Sequence, residues 1–235
     1  EAKNYFGDTT IYIEKYIEQP RHIEFQVLGD NFGNIVQLFE RECTIQRRYQ
    51  KIIEESPSPT LNPEIRQKMG ESALRIAREI NYNSAGTIEF LVDSNLDYYF
   101  LEMNTRIQVE HPVTEMVTGV DLVEEQILVA AGNKLRLKQS ELKQKGHAIE
   151  CRIYAEDPAN NFMPSPGTMS LYVPPEGNNI RIDSSIDSAS TILSFFDPMI
   201  SKMIVWEESR ELAIEACVSA LQDYVVQGIR SNIEY

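Results

Sequence analysis

Residues 86–110 read GTIEFLVDSNLDYYFLEMNTRIQVE. Two runs rich in β-branched and aromatic residues, GTIEFLVD and YYFLEMN, flank the polar turn SNLD, the pattern of an antiparallel hairpin. From residue 101 the characters alternate. Leu101, Met103, Ile107 and Val109 are apolar, whereas Glu102, Asn104, Arg106, Gln108 and Glu110 are polar. In an extended chain alternate side chains share a face, so these five polar groups are expected along one edge. A loop over residues 94–97 sets Val92 opposite Tyr99 and Glu89 opposite Glu102. Like charges directly opposed destabilise a sheet. A hard divalent cation with oxygen ligands would remove the conflict, with Asn104 as a further oxygen. A solvent-screened hairpin face is the other reading, and spacing leaves both open. The continuation through Arg106, Gln108 and Glu110 favours a row that holds a metal-bound phosphate at one end and a second anion at the other.

Working outward, TIYIEKYIEQP and HIEFQVLGD have strand-like alternation, and NFGN is a turn leading into IVQLFERE. Residues 61–80 carry Ile65, Met69, Ala73, Leu74 and Ala77 at helical spacing, with Pro63 suited to the first turn. A second helix is expected over about Gly119–Ala131. Beyond the Lys-rich stretch AGNKLRLKQSELKQKG come short strands broken by Pro and Gly, then an amphipathic helix over about Ser209–Tyr224. The pattern is α+β in two lobes, dominated by antiparallel pairing.

Composition narrows the function classes. A net charge of −14 argues against nucleic-acid binding, which carries a basic excess. Cys43, Cys151 and Cys217 are odd in number and widely spaced, the mark of reduced thiols rather than a disulfide framework. EAKNYFGDTT lacks the apolar centre of a signal peptide, and no window approaches the ~20 apolar residues of a membrane span. A soluble protein of the cytoplasm, or of the mitochondrial matrix in a eukaryote, is expected.

The block EMNTRIQVEHPVTE resembles the signature of biotin carboxylases, in the ATP-grasp superfamily. EKYIEQPRHIEFQV, FERECTIQRRYQKIIEESPSP, HAIECRIYAEDP, FMPSPG and FDPMISKMIVW resemble further blocks of that family, in family order. The resemblance implies an ATP-grasp C-terminal portion of mainly antiparallel sheet plus helices, followed by a biotin carboxylase C-terminal domain. Its divisions would be residues 1–18 for the end of a lid and hinge, 19–133 for the nucleotide- and magnesium-binding portion, and 147–235 for the C-terminal domain.

The implied activity is carboxylation of biotin by MgATP and bicarbonate through carboxyphosphate, in an acyl-CoA carboxylase of fatty acid biosynthesis or a pyruvate carboxylase. ATP, Mg²⁺ (or Mn²⁺) and carrier-bound biotin are the implied ligands. The implied partners are a biotin carboxyl carrier protein or domain, a carboxyltransferase and a second copy in a homodimer. Carried over residue by residue, Glu89, Glu102 and Asn104 hold the metal of MgATP. Glu14, Lys15, Ile17, His22 and Gln46 surround the nucleotide, with Glu24 in support. Gln108, the backbone of Val109 and Arg152 hold bicarbonate or biotin. Glu110 is the base that deprotonates bicarbonate, Lys51 adds positive charge, and Arg106 stabilises the biotin enolate. His111 is expected to be structural and Glu115 to orient its neighbours.

Two departures stand out. Tyr49 replaces a histidine that many members use to hold the nucleotide, and tyrosine cannot carry its charge. The 11 glycines form no cluster that could cradle phosphate. The sequence is therefore expected to represent the later part of a carboxylase, with slow turnover or none by itself. Another ATP-grasp ligase of the carbamoyl-phosphate synthetase kind, or a non-catalytic domain of this fold, are the alternatives.

Overall fold

The computed structural model describes residues 2–235, so Glu1, the first residue of the expected lid-and-hinge segment, lies outside the described residues. After a short helix α1 (Ala2–Phe6), the chain builds one eight-stranded sheet. Its strands are β1 (Arg21–Gly29), β2 (Ile35–Arg47), β3 (Gln50–Ser56), β4 (Ser84–Val92), β5 (Tyr98–Asn104), β6 (His147–Tyr154), β7 (Ile180–Ser184) and β8 (Met199–Glu207). They run in the order β7-β8-β6-β3-β2-β1-β4-β5, and every neighbouring pair is antiparallel. The sheet is continuous across the Lys-rich stretch, because β6 pairs with β3 through Ile53–Ser56 and Ala148–Cys151.

Alternation gives the sheet two different faces. On one, Ile23, Phe25, Val27, Ile88 and Phe90 form a buried core with Met69, Ala73, Leu74 and Ala77 of α2 (Pro63–Glu79). Asn62 caps that helix by accepting the amide of Ile65 at 2.9 Å, and Pro63 occupies its first turn. Further along the same face Ile149, Cys151, Ile153, Met203 and Val205 pack on Ala213, Cys217 and Ala220. These last three belong to the C-terminal helix Arg210–Asp223, capped by Ser209. The opposite face is polar, with Glu24, Arg41, Glu54, Glu150 and Arg152 all buried or nearly so.

Two expectations need correction, and one helix is added. Residues 8–20 form no strand despite their alternation, and Ile11, Tyr12, Ile13 and Tyr16 are exposed; among the described residues no strand edge accepts their backbone groups. The helix expected over about Gly119–Ala131 is α4 (Leu122–Ala130), and a further helix that the periodicity did not reveal, α3 (His111–Thr118), precedes it. Gly119, at φ 72° in the left-handed region, ends α3, and Asp121 caps α4. Finally, β5 stops at Asn104, so residues 105–110 are a loop rather than a strand. Among the described residues no helix is long and apolar enough to cross a membrane.

Candidate active site

The paired carboxylates come first. Glu89 of β4 and Glu102 of β5 are register partners, as the hairpin reading expects. The route differs from the expected one. Val92 pairs with Tyr98, not Tyr99, and a bulge at Leu101 then restores Glu89 to Glu102. The extra loop residue is offset by an extra strand residue. Asn104 joins the two acids, donating through Nδ2 to Glu89 Oε1 at 2.9 Å and Glu102 Oε1 at 3.3 Å.

The loop after β5 turns the remaining polar groups toward the same cleft. This cleft has a volume of about 780 Å³. Glu102, Asn104, Arg106, Gln108, Val109 and Glu110 all line it, as do Lys51, Glu89, Arg152, His22, Gln46 and Tyr49. Glu14, Lys15 and Ile17 do not. Ile17 is buried, Glu14 is exposed, and Lys15 donates to the Tyr99 hydroxyl at 2.6 Å.

Glu110 sits at the head of α3, 2 % exposed, between two cations. Lys51 Nζ donates to its Oε1 at 2.7 Å, and Arg152 Nη2 to its Oε2 at 2.9 Å. Lys51 also donates to Glu24 Oε2 at 2.6 Å and Glu89 Oε1 at 3.2 Å. Burial opposes its charge, but the acids around it, led by Glu24, raise the ammonium pKa. The Lys51 charge is thus fixed at any ordinary pH. Arg152 is likewise held up by Glu54 and Glu110 against burial. His22 Nε2 lies 2.7 Å from Glu89 Oε2 but off the axis of a hydrogen bond. Burial would lower the His22 pKa, yet Glu24 and Glu89 raise it to about 9.

Oxygen-rich donors at Glu89, Glu102 and Asn104 suit a hard cation. Two further clusters, His22–Glu24–Glu89 and Glu24–Cys43–Glu110, bring potential ligand atoms within 4.8 Å of one another. Lys51 already contacts Glu24, Glu89 and Glu110, and its charge repels a metal from both. Burial also pushes the Cys43 thiol well above its usual range, away from the thiolate a metal needs.

Some residues of the site escaped the sequence reading. Arg41 is fully buried and uses all five donors: on Glu24, Gln26, Thr87, Gln108 and Thr114. Lys202 donates to the Val109 carbonyl at 2.7 Å and so shapes the loop before Glu110. Glu54 anchors Arg152 through Nε at 2.6 Å. Arg41 had a signal, since an arginine flanked by glutamates in a β-rich run is either an exposed strand face or a buried ion network. Glu115 does orient its neighbours, accepting from the Leu122 amide and from Arg181, both at 2.6 Å.

Comparison with known proteins gives the same direction. Residues 1–138 match the family described as carbamoyl-phosphate synthase L chain, ATP binding domain, and residues 150–235 match the biotin carboxylase C-terminal domain. A biotin carboxylase of Nostoc sp. is 54% identical over 235 residues, covering 100% of this chain and 53% of the relative. Biotin carboxylase 1 of Bacillus subtilis is 53% identical over 236 residues, covering 100% of this chain and 52% of the relative. The chain thus spans about half the length of the curated relatives it matches. Among solved structures, the biotin carboxylase domain dimer of Hydrogenobacter thermophilus 2-oxoglutarate carboxylase, in complex with MgADP, ADP and bicarbonate, superposes with a TM-score of 0.95. It is 49% identical, covering 99% of this chain and 51% of that one.

Proposed function

Because the chain belongs to the biotin carboxylase family, we propose that its cleft serves the ATP- and bicarbonate-dependent carboxylation of carrier-bound biotin by the longer protein. The observation that carries this reading is Glu110 gripped by Lys51 and Arg152 beside the Glu89–Glu102 pair. That arrangement supports a carboxylate base acting next to a set of oxygen donors suited to a metal ion. The match of residues 150–235 to the biotin carboxylase C-terminal domain supports it over a carbamoyl-phosphate synthetase-like ligase.

The reaction asks for few covalent roles from the protein. Phosphoryl transfer is mainly positioning and charge neutralisation. Glu89, Glu102 and the Asn104 amide oxygen would hold Mg²⁺ (or Mn²⁺); an amide rotation exchanges the Asn104 donor seen on the two acids for its acceptor. When bound, the ion would neutralise charge on the ATP phosphates. His22 and Gln46, with Glu14, Lys15 and Ile17 nearer the chain's start, would contact the nucleotide. Bicarbonate would lie against Arg106, Gln108 and the backbone of Val109. Glu110 takes its proton, making it nucleophilic enough to attack the terminal phosphate. Lys51 and Arg152 keep Glu110 in place and balance the anionic charge around it. Arg106 is exposed and makes only two local hydrogen bonds, to Ile107 O and Asn104 Oδ1, among the described residues. Its guanidinium is free to swing onto the enolate oxygen of biotin, for which its planar fork is suited.

A carrier protein or domain would deliver biotin, a carboxyltransferase would consume the product, and a second copy would form the dimer. A cytoplasmic or organellar location fits relatives of bacterial and mitochondrial origin. Two results test this reading. In the longer protein with ADP present, Glu102→Gln and Glu89→Gln should each weaken Mn²⁺ binding by roughly tenfold or more, at least the loss expected for an outer-shell partner. Paramagnetic resonance of Mn²⁺ measures it, and unchanged affinity would remove the pair from the metal site. The 235 residues alone should release ADP from ATP and bicarbonate far more slowly than enzymes typically turn over, since no glycine cluster here can cradle the phosphates. Turnover at ordinary enzyme rates would contradict that.

A further inference from the structure

Behind Arg152 lies a second pair of acids that the proposed chemistry leaves unused. Glu54 of β3 and Glu150 of β6 are register partners on the polar face of the sheet, and both are 0 % exposed. Glu54 spends Oε1 on Arg152 Nε at 2.6 Å, leaving Oε2 without a partner among the described residues. Neither oxygen of Glu150 has a hydrogen-bond partner there either. The surroundings are apolar on one side: Ala148, two residues back on the strand, and Ile204, the register partner on β8, belong to a buried cluster with Val113 and Val117 of α3. The charged groups bearing on Glu150 are Glu54 on β3, Lys202 on β8, Arg152 on its own strand and Glu110 at the head of α3.

Two opposed carboxylates sealed from water cannot both stay ionised, since each unpaired buried charge costs several kcal/mol of desolvation and they repel one another. An acid with no cation in contact is where a proton costs least. We propose that Glu54 and Glu150 share one proton, resting on Glu150, and act as a positioning pair: Glu54 remains the single anion that holds Arg152 against Glu110. Glu150 lies across the sheet from Glu54, Glu54 bonds Arg152 and Arg152 bonds Glu110, with the proton at the buried end. Burial pushes Glu54 up, and the Arg152 guanidinium bonded to it draws it back. Burial and the neighbouring Glu54 push Glu150 well above the carboxylate range.

The sign of the pH effect follows. An acid whose folded pKa exceeds its unfolded value near 4.5 contributes stability fully present below that value and lost as pH rises through the folded one. For Glu150 the loss begins above about 4.5 and continues as pH rises through its raised folded value. Glutamine at position 150 has the shape of the protonated acid and no charge to lose. Glu150→Gln should therefore gain in Tm over the parent at pH 8 relative to pH 5. Equal loss at both pH values would overturn the proposal. Difference infrared spectra of this chain at pH 7 should contain the carbonyl stretch of a protonated buried carboxyl, absent from Glu150→Gln; a parent spectrum without it, or one the substitution leaves intact, would also overturn the proposal. Glu150→Met is the second variant if the amide does not fold.

The positioning role, unlike the proton, rests on the proposed carboxylase reaction. In the longer protein, Glu150→Gln should move the alkaline limb of the kcat profile for bicarbonate-dependent ATP cleavage to higher pH, because its position 150 can no longer become an anion. An unmoved limb overturns the role. Absence of such cleavage in the parent protein would count against the carboxylase reading instead, and the infrared and Tm measurements would still decide the shared proton.

Discussion

Glu110→Gln in the longer protein should lower bicarbonate-dependent ADP release by about 10²–10⁴-fold, the usual contribution of a positioned general base. The amide has almost the same shape, so the effect isolates chemistry from packing. Lys51 retains Glu24 and Glu89 as anionic partners, and Arg152 retains Glu54. The cleft therefore keeps its form while losing the one acid that both cations hold at its centre. Coupled-assay rates at saturating ATP, with bicarbonate varied, measure the loss. A rate within a few-fold of the parent would transfer the base role to another group or remove the proton transfer from the slow step. Nucleotide affinity gives the control, since among the described residues the Glu110 carboxylate bonds only Lys51 and Arg152 and none of the residues assigned to the nucleotide.

The largest effect on stability is expected at Arg41. Its guanidinium is 0 % exposed and joins β1, β2, β4, the loop at Gln108 and α3 through five hydrogen bonds of 2.6–3.1 Å. Arg41→Met keeps much of the volume but takes from the buried Glu24 one of the two cations that donate hydrogen bonds to it, leaving Lys51. Breaking a buried pair from one side costs about 3–5 kcal/mol. Urea unfolding of this chain, followed by circular dichroism, should detect a loss of that size, and less than about 1 kcal/mol would show that the network is dispensable. Arg41→Lys should recover only a part, since an ammonium offers three donors where the fork offers five. Gln108 loses a donor in either variant while keeping its own bond to Glu89 at 2.7 Å.

Which parts of this site could be read from the chain follows from the range of the interactions. The Glu89–Glu102 pairing is set within one hairpin, and the sequence reading reached it by a four-residue loop. The real five-residue loop and the Leu101 bulge shift the count in opposite senses, so the pair survives. Residues 10–20 alternate as clearly as β1 does, but alternation only proposes a strand and a neighbouring edge must accept it. HPVTEMVT is short and begins with His-Pro; its helix is held by packing Val113 and Val117 on Ala148 and Ile204, contacts that local pattern does not reveal. Lys51, Gln108, Glu110 and Arg152 were assigned through family resemblance, and the cleft brings all four together. Arg41 and the Glu54–Glu150 pair stayed hidden because their meaning depends on which strands become neighbours across long stretches of chain, β3 beside β6 above all. In the linear sequence they are ordinary charges in strands.

The pairing of β3 with β6 has a consequence for how this molecule can be divided. The two family matches end at residue 138 and begin at residue 150, which invites a cut between them. Such a cut would separate sequence modules but tear a single sheet, baring a row of unpaired amides and carbonyls on each piece. Exposed edges of this kind recruit other strands, and the expected product is aggregate rather than two soluble halves. The family matches are separate along the chain, yet one sheet joins them, with Glu110 and Arg152 contributed from opposite sides of the seam.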